Sequence, residues 1–167
     1  MNSIHFAAST ALPFQCQLAE NTMPVQAVPY AKISLHELVS GLLKSLLPLT
    51  TRRHNLVLNE ISRDLRVRAD ENMLAYVLWS LINGAILSTR NECIHIEALT
   101  EGDRLKIRIK DAGACFHHTI SREYRQVQHV AEKLGGNISI ENGKEYGTNA
   151  AFCISNRATV VSKPDNA

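Results

Sequence analysis

The chain has 167 residues, of which 45% are hydrophobic and 20% are charged, and its formal net charge at pH 7 is +2. These values are typical of one soluble globular domain that is large enough to bury a core. The near balance of charge argues against a nucleic-acid binder that relies on bulk electrostatics. Since the sequence has no apolar run of about 18 residues, no membrane span is expected.

The four cysteines, Cys16, Cys93, Cys115 and Cys153, are widely spaced and form no Cys-x-x-Cys pair. This spacing predicts reduced thiols rather than a disulfide framework. No Lys or Arg precedes Lys32, so the basic start of a secretory signal is missing. We therefore expect a cytoplasmic protein.

The distribution of charge and proline predicts three segments. Residues 1–31 carry one charged side chain, Glu20, and contain prolines at positions 13, 24 and 29. Because proline removes a donor and clashes with the preceding turn, this stretch favours an extended N-terminal arm over a long helix. The periodic part, 32–155, is the expected domain. The polar end, 156–167, is typical of a disordered tail.

The first predicted element of the domain is a helix. Ser34 and Glu37 have the spacing of a capping box. The apolar stripe that follows has helical spacing and consists of Leu38, Val39, Leu42, Leu43 and Leu46. Pro48 is expected to end or kink this helix. Residues 55–60 then predict a strand.

The second predicted helix has the clearest pattern in the chain. Asp70 is a favourable N-cap. The apolar positions after it are spaced three and four apart: Met73, Leu74, Val77, Leu78, Leu81, Ile82, Ala85 and Ile86.

A hairpin is expected next, with strands over 94–98 and 105–109 and a turn at 101–103. Apolar and polar residues alternate in both strands, which predicts a sheet that is covered on one face and wet on the other. The wet face would carry the basic row Lys106, Arg108 and Lys110 opposite His95 and Glu97.

A third helix over about 122–134, ended by glycines 135 and 136, precedes two last strands at 137–141 and 149–154. The order is helix, strand, helix, strand, strand, helix, strand, strand. It predicts an α+β fold, a two-layer sandwich with a mixed, mostly antiparallel sheet and helices on one face.

Five segments carry a family resemblance. They are the entry helix at 33–38, the stretch 67–70 with 78–86, the turn Asp111-Ala112-Gly113 after a strand, the Gly-Gly and strand at 134–140, and Tyr146-Gly147-Thr148 followed by Phe152. Together they resemble the ATP-binding domain of sensor histidine kinases, the Bergerat or GHKL fold, over about 32–155. The resemblance identifies 78–86 with the N box and 109–113 with the start of the G1 box.

The resemblance implies that part of an adenine pocket is kept. Asp111 matches the carboxylate that accepts a hydrogen bond from the adenine amino group, Gly113 the glycine that lets the base approach the backbone, and Thr148 a residue at the same edge. Each also has a purely structural interpretation. Asp111 would cap a turn, Gly113 would be a turn glycine, and Thr148 would open a strand.

The resemblance also implies losses. The N-box Asn that holds Mg²⁺ aligns with Gly84, which has no side chain. The neighbouring Asn83 would be a displaced N-box asparagine. Because one residue turns a helix by about 100°, its side chain is expected to point away from the position of the metal ligand. The Gly-rich phosphate loop aligns with residues 122–124, Arg-Glu-Tyr, so the ATP lid is truncated. Three residues in it, Cys115, His117 and His118, have metal-like spacing but are too few to surround zinc.

These features predict a catalytically inactive histidine-kinase-like domain that acts as a regulatory protein-interaction module in bacterial-type signal transduction. We expect no catalytic residues, no metal, no Mg²⁺, and a signalling protein as partner rather than nucleic acid or membrane; the oligomeric state stays open. Two alternatives remain. One is a nucleotide-binding switch that resembles anti-sigma-factor kinases, and the other is a purine sensor that uses only the adenine end of the pocket. Either would bind ATP or another adenine nucleotide.

Overall fold

A computed structural model of the chain describes residues 32–112, 121–142 and 147–155. The predicted arm, 1–31, and the predicted tail, 156–167, lie outside the described residues, as does Gly113. The helices are α1 (Leu35–Arg53), α2 (Glu71–Ser88) and α3 (Ser121–Lys133). The strands are β1 (Lys32–Ser34), β2 (Leu56–Asn59), β3 (Arg66–Arg68), β4 (Cys93–Glu101), β5 (Arg104–Asp111), β6 (Gly136–Asn142) and β7 (Thr148–Ser155).

The main sheet has five strands in the order β2-β4-β5-β7-β6. Strand β2 is parallel to β4, and the other neighbours are antiparallel. All three helices lie against one face of this sheet. The predicted α+β sandwich with a mixed, mostly antiparallel sheet is therefore confirmed. The short antiparallel pair of β1 with β3 was not predicted.

Helix α2 lies at the centre of the core, and its predicted stripe is confirmed except at Met73, which is half-buried. Its fully buried positions are Leu74, Val77, Leu78, Leu81, Ile82, Ala85 and Ile86. The predicted N-cap is also confirmed, because the Asp70 carboxylate accepts a hydrogen bond from the Met73 backbone N–H at 2.9 Å. This cap satisfies one of the free amides of the first turn.

The predicted capping box of α1 is wrong. Ser34 is the N-cap residue, but its side chain makes no cap hydrogen bond. The Leu35 N–H donates instead to the Leu65 carbonyl at 3.2 Å, and the Ser34 hydroxyl accepts from Arg66 Nη1 at 3.2 Å. The pairing of β1 with β3 brings these groups next to the start of α1, so a tertiary contact replaces the local cap.

Pro48 does not end α1, which continues to Arg53. A proline inside a helix leaves the carbonyl four residues earlier, here that of Lys44, without its amide partner. Both Lys44 and Pro48 are exposed, so water can bond to that carbonyl. Of the two predicted effects, an end of the helix at Pro48 is therefore wrong, and the solvent-facing position explains why; a kink at Pro48 stays a prediction.

The outer face of the sheet carries the predicted basic row. In the register of β4 and β5, His95 pairs with Lys110 and Glu97 with Arg108. Glu97 Oε1 lies 2.7 Å from Lys110 Nζ and 2.6 Å from Arg108 Nε. Contact with Lys110, together with the nearby charge of Arg108, lowers the pKa of the Glu97 carboxyl against the opposing effect of burial. Two of the three basic side chains thus share one carboxylate within the sheet, which compensates one of their two positive charges.

Helix α3 is tied to the edge strand β6 through one residue. The Tyr124 hydroxyl donates to the Ile138 carbonyl at 3.1 Å, and the Ile138 N–H donates to Gln128 Oε1 at 3.1 Å. Burial raises the pKa of the Tyr124 phenol. Both backbone groups that Ile138 turns away from β7 are thereby satisfied, which protects this edge of the sheet.

Among the described residues, no helix is both long and apolar enough to cross a bilayer. The longest apolar helix, α2, instead buries its apolar face within the domain.

We predict that Gly136→Ala lowers the free energy of unfolding by about 1–3 kcal/mol, the usual range for overpacking. A Cβ at this position would lie 2.5 Å from the Cys153 carbonyl oxygen and 2.6 Å from Cε2 of the buried Phe152. Urea unfolding, followed by circular dichroism and by the fluorescence of the single tryptophan, measures the change.

Gly41→Ala is the matched control, because a Cβ there meets nothing within 4 Å. It lies inside the exposed part of α1 and should stabilise the protein by about 0.5–1 kcal/mol through helix propensity. Equal stability of the Gly136→Ala variant and the wild type would contradict the close packing of β6 against Phe152.

Candidate functional site

The candidate site lies at the end of the sheet where two apolar rows become polar. In β5 the buried residues Leu105, Ile107 and Ile109 alternate with exposed or half-buried ones, and Asp111 continues the buried row. In β7 the corresponding row is Thr148, Ala150, Phe152 and Ile154. A carboxylate and a hydroxyl thus occupy the last positions of rows that are otherwise aliphatic or aromatic.

Asp111 and Thr148 are brought together by the sheet. They are direct partners in the antiparallel register of β5 and β7, which places their Cβ atoms about 4.5–5.5 Å apart. Asp111 is only 8% exposed and Thr148 only 2%. The fold therefore holds a buried carboxylate directly beside a buried hydroxyl at this end of the sheet.

Gly147 makes this arrangement possible. It has a φ of +114°, which side chains other than glycine rarely adopt. A Cβ on Gly147 would collide with the Asp111 carbonyl oxygen and would lie 3.3 Å from Cα of Ala112. In the sequence, Gly147 is noted as part of the Tyr146-Gly147-Thr148 segment, but its close approach to the Asp111 carbonyl leaves no signal beyond the glycine itself.

Asn83 and Gly84 are half-buried positions in the C-terminal half of α2. With 3.6 residues per turn, Asn83 projects about 20° from Tyr76 and about 40° from Leu87, on the outer side of the helix, whereas Gly84 is rotated by about 100° from Asn83. Among the described residues, the Asn83 side chain forms no hydrogen bond. The structure does not join Asn83 to the pair formed by Asp111 and Thr148.

The fold was compared with solved structures. The histidine kinase AdeS of Acinetobacter baumannii superposes with a TM-score of 0.67 at 18% identity, over 75% of this chain and 66% of AdeS. The catalytic domain of histidine kinase ThkA gives a TM-score of 0.66 at 20% identity, over 76% of this chain and 97% of that domain. This chain has the histidine kinase catalytic fold. The predicted GHKL resemblance is thereby confirmed at the level of the fold.

ThkA has also been solved in complex with the response regulator TrrA. That ThkA chain matches with a TM-score of 0.65 at 20% identity, and the present chain covers 42% of its length. This chain therefore spans about two thirds of AdeS and less than half of the ThkA chain in that complex. No protein-family model and no curated protein matched the sequence.

Two sequence predictions about this histidine-kinase-like domain fall outside the described residues. Gly113, the third residue of the predicted adenine pocket, is one of them. The cluster of Cys115, His117 and His118 is the other. Within 32–112, 121–142 and 147–155, no group of three or more His, Cys, Asp or Glu side chains is placed to hold a metal ion.

The chemistry that Asp111 and Thr148 offer is recognition. A carboxylate accepts hydrogen bonds, and a threonine hydroxyl both donates and accepts them. In the predicted adenine pocket, they would meet the polar edge of a planar ligand whose faces contact aliphatic side chains. Whether they bind an adenine, as the resemblance implies, stays a prediction.

We predict that Gly147→Ala destabilises the domain by about 2–4 kcal/mol, because it adds the cost of a positive φ to a backbone collision. Gly102→Ala is the control, since Gly102 has a φ of +56° but a Cβ there meets nothing within 4 Å. The free energy of unfolding of the control should fall by only about 1 kcal/mol.

Chemical denaturation measures both variants, and backbone amide NMR shows where the change occurs. The amide signals of Asp111 and Thr148 should shift in the Gly147→Ala variant and stay in place in the control. Equal losses of stability in the two variants would rule out the close approach as the reason for the glycine.

Proposed function

We propose that this chain is a catalytically inactive histidine-kinase-like domain that acts as a regulatory protein-interaction module in bacterial-type signal transduction. The observation that carries the proposal is the combination of an intact fold with a glycine at position 84 of α2. By resemblance, this is the position from which a histidine kinase presents its metal-binding amide.

The donor set on α2 does not fit Mg²⁺. This ion needs hard oxygen ligands, supplied by carboxylate or amide groups together with phosphate oxygens. Gly84 has no side chain. The Asn83 amide lies on the outer side of the helix, in line with Tyr76 and Leu87, and cannot replace it without rotation of α2. That rotation would expose residues of the fully buried stripe.

Loss of the metal position bears directly on activity. Phosphoryl transfer depends on metal ions and positioning far more than on covalent chemistry of the protein. The pair formed by Asp111 and Thr148 can hold a ligand edge but does not supply that electrostatic stabilisation. A regulatory role through protein contacts requires only the fold, and the complex of ThkA with TrrA gives a precedent for such contacts in a protein of this fold.

We predict that isothermal titration with ATP gives the same weak or undetectable binding with Mg²⁺ as with EDTA, because no side chain on α2 is placed to hold the ion. ATP hydrolysis should not exceed the rate in protein-free buffer. The Asn83→Ala variant should match the wild type in both measurements.

Two results would contradict the proposal. One is micromolar binding of Mg-ATP accompanied by hydrolysis. The other is transfer of radiolabelled phosphate from ATP to a serine of a partner protein, which would favour the switch that resembles anti-sigma-factor kinases. A loss of Mg-ATP binding in Asn83→Ala would show that Asn83 replaces the missing ligand.

A purine sensor is the second candidate function, and the burial of Asp111 beside Thr148 favours it. Such a sensor would use the carboxylate and hydroxyl at the adenine end alone. It needs no ligand at position 84, so binding should be independent of Mg²⁺ and of the number of phosphates.

A thermal-shift panel of adenosine, AMP and ATP, each with and without Mg²⁺, separates the two candidates. On the sensor hypothesis all three raise the melting temperature equally, and Asp111→Asn abolishes the rise. Asp103→Asn, in the exposed turn between β4 and β5, is the matched control and should retain it. On the leading hypothesis, no nucleoside or nucleotide of the panel changes the melting temperature of the wild type, of Asp111→Asn or of Asp103→Asn.

A further inference from the structure

A cavity lies between the C-terminal ends of α1 and α2, and neither Asp111 nor Thr148 lines it. It has a volume of about 270 Å³ and is lined by Leu49, Arg52, Arg53, Leu87 and Arg90. We refer to it as the arginine cavity. None of its lining residues belongs to the predicted adenine pocket or the N box.

The backbone around the arginine cavity is fixed by hydrogen bonds between the two helix ends. The Asn91 N–H donates to the Arg53 carbonyl at 3.1 Å. Asn55 Nδ2 donates to the Ile86 carbonyl at 3.1 Å and to the Thr89 hydroxyl at 2.8 Å. These bonds hold α1 and α2 side by side, so the cavity is part of the rigid domain.

The charge of the arginine cavity is uncompensated within the described part of the chain. None of the ion pairs among the described residues involves Arg52, Arg53 or Arg90. Guanidinium groups stay charged at every accessible pH. The α1 dipole favours basic residues in its last turn, which explains Arg52 and Arg53. It does not explain why Arg90, beyond the end of α2, converges with them on one cavity.

Apolar surface adjoins these charges. Leu87 is 41% exposed, and Tyr76 and Trp79 on the same outer side of α2 are 38% and 41% exposed. From Tyr76 to Leu87 this stripe extends about 16 Å along the helix. Leu87 lines the cavity itself, and Trp79 and Tyr76 lie about two and three turns back along α2, with Asn83 between them and Leu87. The stripe is longer than a small anion would cover, and large exposed apolar side chains along one side of a helix suit contact with an extended protein segment.

We infer that the arginine cavity and the adjoining stripe of Tyr76, Trp79 and Leu87 form the docking site for an acidic, apolar segment of a partner protein. Carboxylates of the segment pair with the three arginines, for which bidentate geometry is available. An apolar side chain enters between Leu49 and Leu87, and the rest of the segment follows α2. The inference rests on the proposed function, since it locates the partner contact of that module.

The first experiment is selection from a random-peptide phage library on the folded wild-type protein. The selected peptides should be enriched in Asp or Glu together with Leu or an aromatic residue. A synthetic peptide with the consensus is then titrated by fluorescence anisotropy. Its affinity should fall as NaCl is added, because Coulomb attraction between exposed groups is screened.

In the charge variant R52Q/R53Q/R90Q, the affinity for this peptide should fall at least tenfold. The matched control, R63Q/R68Q/R125Q, removes three exposed arginines elsewhere and should bind like the wild type. Circular dichroism checks that both are folded. Leu87→Glu is a second, independent variant. It places a negative charge at an exposed position, where it repels the acidic peptide, and it should also lower the affinity for the peptide.

The outcomes separate this inference from the proposed function. Selected peptides that bind the charge variant as tightly as the wild type would overturn the docking site and leave the interaction module intact. A library that yields no binding peptide would count against both. If inorganic phosphate or acetate displaces the peptide as effectively as unlabelled peptide does, the cavity is a simple anion site and the inference is wrong.

Discussion

The contact between the apolar face of α2 and the inner face of the sheet determines the position of every other feature. Seven residues of α2 are fully buried, and β5 presents an unbroken row from Leu105 to Ile109 toward the helical layer. This burial fixes the rotation of α2 about its own axis. The rotation in turn decides which residues face outward and forces Asn83 and Gly84 into half-buried positions that the core does not need.

Features that depend on the regular spacing of residues within one helix or strand were predictable from the sequence. The stripe of α2, its Asp70 cap and the alternation in β4 and β5 depend on residues within the same element, so sequence spacing contains the information. The Ser34 cap and the pair β1–β3 depend on contacts with Leu65 and Arg66, far along the chain. A helix N-terminus that is satisfied by a distant carbonyl looks, in sequence, like one that needs a local cap.

The candidate site was predictable only as residue types. Asp111 and Thr148 follow from motifs, but their direct register depends on how β7 returns beside β5. Gly147 gives no hint in sequence of the carbonyl that it accommodates. The arginine cavity is the extreme case, because Arg53 and Arg90 come together only when two helices end at the same height, and no periodic pattern marks such a meeting of helix ends.

The separation between core and site residues shows how this fold could persist without kinase chemistry, as we propose for this chain. A glycine at position 84 leaves the buried stripe of α2 untouched, since Ile82, Ala85 and Ile86 still fill the core. The positions of α2 that fill the core are therefore different from the position that would hold a metal ion. The outer side of α2 is equally free of the core, and three exposed apolar residues there, next to three arginines without carboxylate partners in the described chain, are costly for solubility unless they serve a contact. The same independence from the core that would permit a glycine at the proposed metal position would also permit a binding surface on the outer side of the helix.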